Sequence, residues 1–251
     1  MHQAKKLFFI AVIFIASVIM TSCASYTTIR SNPEFESALN KSKRLVILPS
    51  LIEIRKVGIS SSERNYNYET QVEQILTEEI TDTLKLKGYK PYVLTRREIH
   101  DANISKYIDL LEESYLPHIQ HLYKKELLDE KTAFAIEDCL DAPQFSFFSS
   151  ADVLVYSEYY HWYRSSQSNA LSIAAGVLFD ADSKSDNWAE RSILRVSLVN
   201  SNNYKIIWSN FAKEDISAFD TMLNYFSSNI KIDTDKIKRL SKNLFLKLPN
   251  K

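Results

Sequence analysis

His118 and His121 lie three residues apart in a stretch of helical periodicity, a spacing that can bring two imidazoles to one metal ion. No HExxH pattern and no third ligand accompanies them, so they read as surface histidines. Asp180, Asp182 and Asp186 are spaced like the start of an EF-hand calcium loop. In that register, however, Lys184 stands at an oxygen-ligand position, Ser185 where a glycine is required and Arg191 in place of the bidentate glutamate. The pairs Glu78-Glu79 and Glu112-Glu113 are adjacent, so their side chains diverge around a helix and do not converge on a substrate. For nucleophilic catalysis the chain offers no GxSxG elbow and no SxxK with partners. Cys139 sits in EDCLD, whose carboxylates hold a thiol protonated. Gly58, Gly88 and Gly176 are the only glycines, too few for a phosphate-cradling loop of either common kind. These residues imply neither a cofactor nor a metal and point away from an enzyme, although a triad of distant Ser, His and Asp residues leaves no mark in sequence.

The aromatic run Tyr156–Tyr163 is the best candidate for a functional surface. Period two puts Tyr156, Glu158, Tyr160 and Trp162 on one face of a strand and Tyr159, His161 and Tyr163 on the other. Tyr and Trp join apolar area to a polar tip, which suits a partner interface or sugar stacking as well as packing under a helix. Tyr156, Tyr160 and Trp162 are therefore the candidate binding residues. A second stretch, Ala170–Phe179 (ALSIAAGVLF), is apolar between polar flanks and reads as packing under a loop.

The start of the chain carries an address. Lys5 and Lys6 precede the apolar run Leu7–Met20, which is too short to span a bilayer comfortably, and the run ends at Met20-Thr21-Ser22-Cys23. This junction resembles the lipobox of bacterial lipoproteins, in which a signal peptidase cuts before a cysteine that then carries acyl chains. Met20 departs from the pattern, where Leu is commonest. The resemblance implies a signal peptide over residues 1–22 and lipid attachment at Cys23, hence a membrane partner. With Ala24 and not Asp after the cysteine, it implies the periplasmic face of a bacterial outer membrane, or the cell membrane if there is no outer one. Acylation would turn the Cys23 sulfur into a thioether and leave Cys139 a lone thiol, expected to be buried and inert.

Charge narrows the partners. The chain has 31 basic and 31 acidic residues; residues 1–22 hold Lys5, Lys6 and no acid, so the remainder carries 29 against 31. Lys236, Lys238, Arg239 and Lys242 are scattered and form no basic block, which argues against nucleic acid.

The elements that would position these residues read as an α/β fold. Residues 23–42 are polar and suit a tether, and residues 43–251 a single domain. Leu45–Leu48 has the pattern of a strand covered on both faces, continued beyond Pro49 by Leu51–Ile54. Gly58–Asn67 reads as a polar loop. Val72, Ile75, Leu76, Ile80 and Leu84 then mark a helix that stops at Gly88, and Tyr89–Leu94 a strand. Ile104 to Tyr123 is helical around Pro117, predicting one kinked helix or two short ones up to about Lys131, and Ala133–Leu140 a further turn or two. Ala151–Tyr163 is a long strand. Ile193–Val199 and Tyr204–Phe211 form a hairpin about Asn200–Asn203. Helices close the chain, the last starting at Asp233 or Thr234. The expected architecture is a three-layer-like sandwich, a mixed sheet of about four to five strands flanked by helices with a C-terminal helical segment.

That order of LVILP, a helix, Gly-Tyr with a strand, ADVLVYSEY, a hairpin ending YKIIWS and a final helix ending KLP is similar to the periplasmic α/β domains related to CsgG, LpoB and the amino-terminal domain of TolB. The resemblance implies a non-catalytic domain that binds another envelope protein. Its alternative is a subunit of an oligomeric secretion or pore assembly, and outside the resemblance stands a periplasmic hydrolase with an unrecognised site. No functional residue carries over from it.

Overall fold

The computed structural model describes residues 26–42, 44–57, 62–123, 147–149, 152–164, 191–215 and 234–251. Cys23, Cys139, the helical turns expected at 133–140, the apolar stretch 170–179 and the aspartates at 180–186 lie outside them. The architecture is α/β, a mixed sheet between two helical layers, as the hydrophobic pattern implies.

The strands are β1 (Tyr26–Ser31), β2 (Arg44–Ile47), β3 (Leu51–Val57), β4 (Ser62–Arg64), β5 (Pro91–Val93), β6 (Asp152–Arg164), β7 (Arg191–Asn200) and β8 (Ile206–Asp215). The helices are α1 (Phe35–Lys41), α2 (Tyr66–Leu86), α3 (Arg96–Asp101), α4 (Ser105–Leu122) and α5 (Thr234–Phe245). Among the described residues the sheet has eight strands, more than the four or five expected, in the order β1-β8-β7-β6-β2-β5, with β3 on β6 and β4 on β3.

β6 organises this sheet. Its first residues pair in parallel with β2 (Arg44↔Asp152 to Ile47↔Val155) and its last with β3 (Leu51↔Glu158 to Val57↔Arg164). β2 and β3 are one strand interrupted at Pro49, which lacks the donor a continuous ladder needs. β7 pairs antiparallel along the other edge of β6, and the β7–β8 hairpin turns with Tyr204 at φ 53°.

Alternate residues feed two cores. Leu45 and Ile47 face the layer of α1, α2 and α5, where Val72, Leu76, Ile80 and Leu84 supply a four-residue apolar stripe. Val46 and Leu48 face α3 and α4, beside Leu111, Tyr115, Ile119 and Leu122. α4 runs through Pro117 as one helix, because its buried residues on both sides of the proline pack on the same sheet face. Two short elements escape the hydrophobic pattern: β4 within the polar loop, and α3, which starts at a capping box of Thr95 and Glu98. Among the described residues no helix is long and apolar enough to cross a membrane.

The segment expected to be a tether folds from Tyr26 onward. β1 pairs antiparallel with β8 along its whole length, and α1 buries Phe35 and Leu39. Trp208 on β8 lies between Phe35 (6.3 Å) and Phe245 of α5 (6.2 Å) in near-parallel stacks. An indole of this size needs cover on both sides, and α1 is half of it. A chain starting at Arg44 is therefore expected to unfold at lower urea than one starting at Ala24, since Phe35 and Leu39 alone contribute about 3–6 kcal/mol of burial. Coincident urea transitions would show that β1 and α1 are peripheral.

Candidate functional site

Where Pro49 interrupts the strand, the chain leaves β5 behind. β5 stops at Val93, opposite Ile47, while β3 continues along β6 and meets β4 only from Arg55 onward. Among the described residues, the outer edge of β3 before Arg55 thus lacks a neighbouring strand. Side chains take that place: the Ile54 N–H donates to Glu69 Oε1 (3.0 Å), and Arg64 Nη2 donates to the Ile52 carbonyl (3.0 Å). Arg64 Nε also donates to Glu69 Oε1 at 2.7 Å, so one buried carboxylate oxygen serves a backbone donor and a guanidinium.

The gap is a cleft of about 430 Å³ at the carboxyl ends of β2 and β5. The connection after β2 leads to α2 on one face of the sheet, and that after β5 leads to α3 and α4 on the other, so the cleft sits where the topology switches sides. Ser50–Glu53 form its floor, the first turns of α2 (Tyr66, Glu69, Thr70, Glu73) one wall, and Arg96, Leu116 and Tyr160 the other. Arg96 donates to Glu73 Oε1 from Nε (3.2 Å) and Nη2 (2.9 Å), and the Arg64 guanidinium lies 5.1 Å from the Tyr66 ring centre. Tyr66 is 67% exposed at the mouth.

The three aromatic candidates separate. Tyr156 is buried and stacks on Tyr115 of α4 at 4.5 Å, so it belongs to the core and offers no area to a partner. Tyr160 lines the cleft, and half-buried Trp162 stacks beside it at 6.1 Å. On the opposite face Tyr159 and Tyr163 pack in the core, with His161 Nδ1 2.8 Å from Ser192 Oγ.

Behind Tyr160 lies a polar cluster that hydrophobic patterning does not anticipate. Arg195 Nη1 donates to Glu158 Oε2 at 2.9 Å, both side chains largely out of solvent, and the guanidinium lies 5.1 Å from the Tyr123 ring centre. The Tyr115 hydroxyl reaches Ser197 Oγ (2.8 Å), which meets Ser209 Oγ (2.8 Å), and the Tyr123 hydroxyl also reaches Ser209 (2.9 Å). Burial pushes the Glu158 carboxyl up, against the pull of Arg195 and the phenols of Tyr115 and Tyr160. Burial, and then the Glu158 charge, pushes the Tyr160 phenol up and keeps it a neutral donor. The alternation placed Glu158 and Tyr160 on one face, but nothing in it revealed Arg195 as the cross-strand partner.

Among the described residues no three His, Cys, Asp or Glu side chains gather where they could hold a metal ion, and the His118 Nδ1 lies 2.8 Å from the Ser114 carbonyl one turn back. The cleft is lined by paired carboxylates and guanidiniums, two phenols and small hydroxyls.

No family model matches the chain, and no curated protein does. Among solved structures it is similar to the PelC dodecamer from Paraburkholderia phytofirmans, at 8% identity and a TM-score of 0.39 over 88% of this chain and 95% of that one. A single-residue variant of that dodecamer gives 9% identity and the same TM-score over 91% and 100%. Likeness at this level carries no argument about function.

One group beside the cleft sets a pH dependence. Glu112 on α4 feels both Arg96 and Glu73, and burial foremost pushes its carboxyl from the ordinary 4.5 to about 7. Between those values the folded chain holds a proton that the unfolded chain has released, so this group favours folding most at low pH and the advantage disappears as pH rises to about 7. Glu112→Gln is expected to flatten the fall in urea midpoint from pH 5 to pH 8; an unchanged slope would show that Glu112 titrates normally.

Proposed function

We propose that this protein is a lipid-anchored, non-catalytic module of the bacterial envelope, held by an acylated Cys23 at the periplasmic face of the outer membrane, that binds another envelope component through the cleft at Tyr160. The observation that carries the reading is the junction itself: a basic start, an apolar run and Met20-Thr21-Ser22-Cys23, with the first strand beginning at Tyr26. Two or three acyl chains give the stable anchoring that a single chain lacks. Confinement to a surface raises the effective concentration of a module near partners on the same surface, which lets a modest cleft suffice.

The chemistry of the cleft supports binding over turnover. Arg64 donates to Glu69 and Arg96 to Glu73, and Tyr160 is kept as a donor. Proton transfer near neutral pH calls for a poised acid or base facing the substrate. Glu112 has the poise but does not line the cleft.

The deciding measurement is the intact mass of membrane-extracted protein beside a Cys23→Ala variant. The expected wild type lacks residues 1–22 and carries acyl mass, while the variant carries none; an unacylated wild type would overturn the anchor. For the cleft, a photo-crosslinking residue at Tyr66 is expected to trap a specific neighbour in the native envelope, and Tyr160→Ala to reduce that product severalfold with an unchanged circular dichroism spectrum. Undiminished crosslinking in the Tyr160 variant would move the interface elsewhere.

A further inference from the structure

The start of β1 fixes which end of the domain an anchor would hold. From Cys23 to Tyr26 there are three residue steps, which reach at most ~10–11 Å even when fully extended. Tyr26 pairs with Lys213, Lys213 with Ile193 and Ile193 with Tyr160, so one row of the sheet runs from the start of β1 to the wall of the cleft. Three strand spacings of ~4.8 Å place Tyr160 roughly 14 Å from Tyr26. Beyond that row, toward the anchor, β6 continues through Trp162 to Arg164. At the other end of the strands, nine residues or ~30 Å from Trp162, Val153 pairs with Asn200 where the β7–β8 hairpin turns, and the turn exposes Asn202 and Asn203.

Resting on the lipoprotein reading, we infer that the folded domain sits directly on the bilayer with one fixed polarity: the end bearing Tyr26, Lys213 and the Tyr160–Trp162 pair faces the lipid surface, and the β7–β8 hairpin points away from it. The link is shorter than the strands it feeds, so the body cannot turn over about its anchor. Sheet twist rotates successive strands by ~20–25°, and over the three steps from β1 to β6 this stays below a right angle. Twist therefore tilts β6 without exchanging its ends. Trp and Tyr with basic neighbours are the side chains that settle at a lipid interface, and Trp162 and Lys213 supply both kinds at this end. The Tyr160 wall of the cleft consequently meets ligands at the membrane surface, and the hairpin is the part presented to the compartment beyond.

The test uses the full-length lipidated protein in vesicles of phosphatidylethanolamine and phosphatidylglycerol that carry a headgroup-linked nitroxide. In a Cys139→Ser background, a fluorophore is attached at Lys213→Cys in one preparation and at Asn202→Cys in another. Intact mass verifies acylation of each, and circular dichroism its fold. Severalfold stronger quenching at 213 than at 202 is expected. A linker of about twenty Gly and Ser residues inserted after Ala24, spanning roughly 25 Å, is expected to bring the two sites close to equal. Equal or reversed quenching in an acylated protein overturns the orientation while the anchor stands, and a difference that survives the linker overturns the short link as its cause. Absence of acyl mass overturns the lipoprotein reading, and the orientation with it.

Discussion

The rest of the structure depends on β6 being buried on both faces and paired along both edges. From Asp152 to Tyr159 every residue of it is buried. Such a strand cannot alternate polar and apolar, and a charged or hydroxyl group in it is costly to bury without a partner inside the protein. Asp152 receives two donors from Arg44 (3.0 Å each) and the Ser149 N–H (2.9 Å), Ser157 meets Ser50 Oγ at 2.6 Å, and Glu158 meets Arg195. Each partner lies on or beside a strand adjacent to β6, so satisfying β6 also fixes the position of its neighbours.

The Glu158–Arg195 pair is best understood as a register device. A buried ion pair adds little net stability, because desolvating two charges offsets most of their attraction. Glu158 and Arg195 are directly opposite in the β6–β7 ladder. A slip of one residue would turn Arg195 into the core occupied by Leu194, Val196 and Leu198 and leave Glu158 buried without its cation. Mispairing is thus penalised far more than correct pairing is rewarded, which is what a strand with large side chains on both faces requires.

The legible elements were those whose burial is periodic and continuous. Leu45–Leu48, the Val72–Leu84 stripe, the long strand after Ala151 and the Asn-rich hairpin all declare themselves, because each buries a face against something large. β1 and α1 did not. β1 is an edge strand of YTTIRS and α1 a seven-residue helix with two buried residues, so neither presents a repeat long enough to register. What orders them is Trp208, far away in sequence. α3 was marked only by its Thr95-x-x-Glu98 box, a signal of capping and not of hydrophobicity. Of the aromatic candidates, period two correctly divided the faces but could not tell that α4 covers Tyr156 and stops short of enclosing Tyr160.

That difference between two residues on one face leads back to Pro49. Had β2 run on without interruption beside a longer β5, the outer edge of β3 would be sealed by backbone and Tyr160 would face a closed layer. Instead the strand is broken, β5 ends, and Glu69 and Arg64 serve the exposed edge as side-chain substitutes for a strand. A strand offers the edge only backbone, with its own far side satisfied in turn by another. A carboxylate and a guanidinium offer charge and spare hydrogen-bonding capacity to whatever enters. The cleft is polar in part for this reason: Glu69 and Arg64 serve the β3 edge in place of a strand, and that task leaves them hydrogen-bonding capacity.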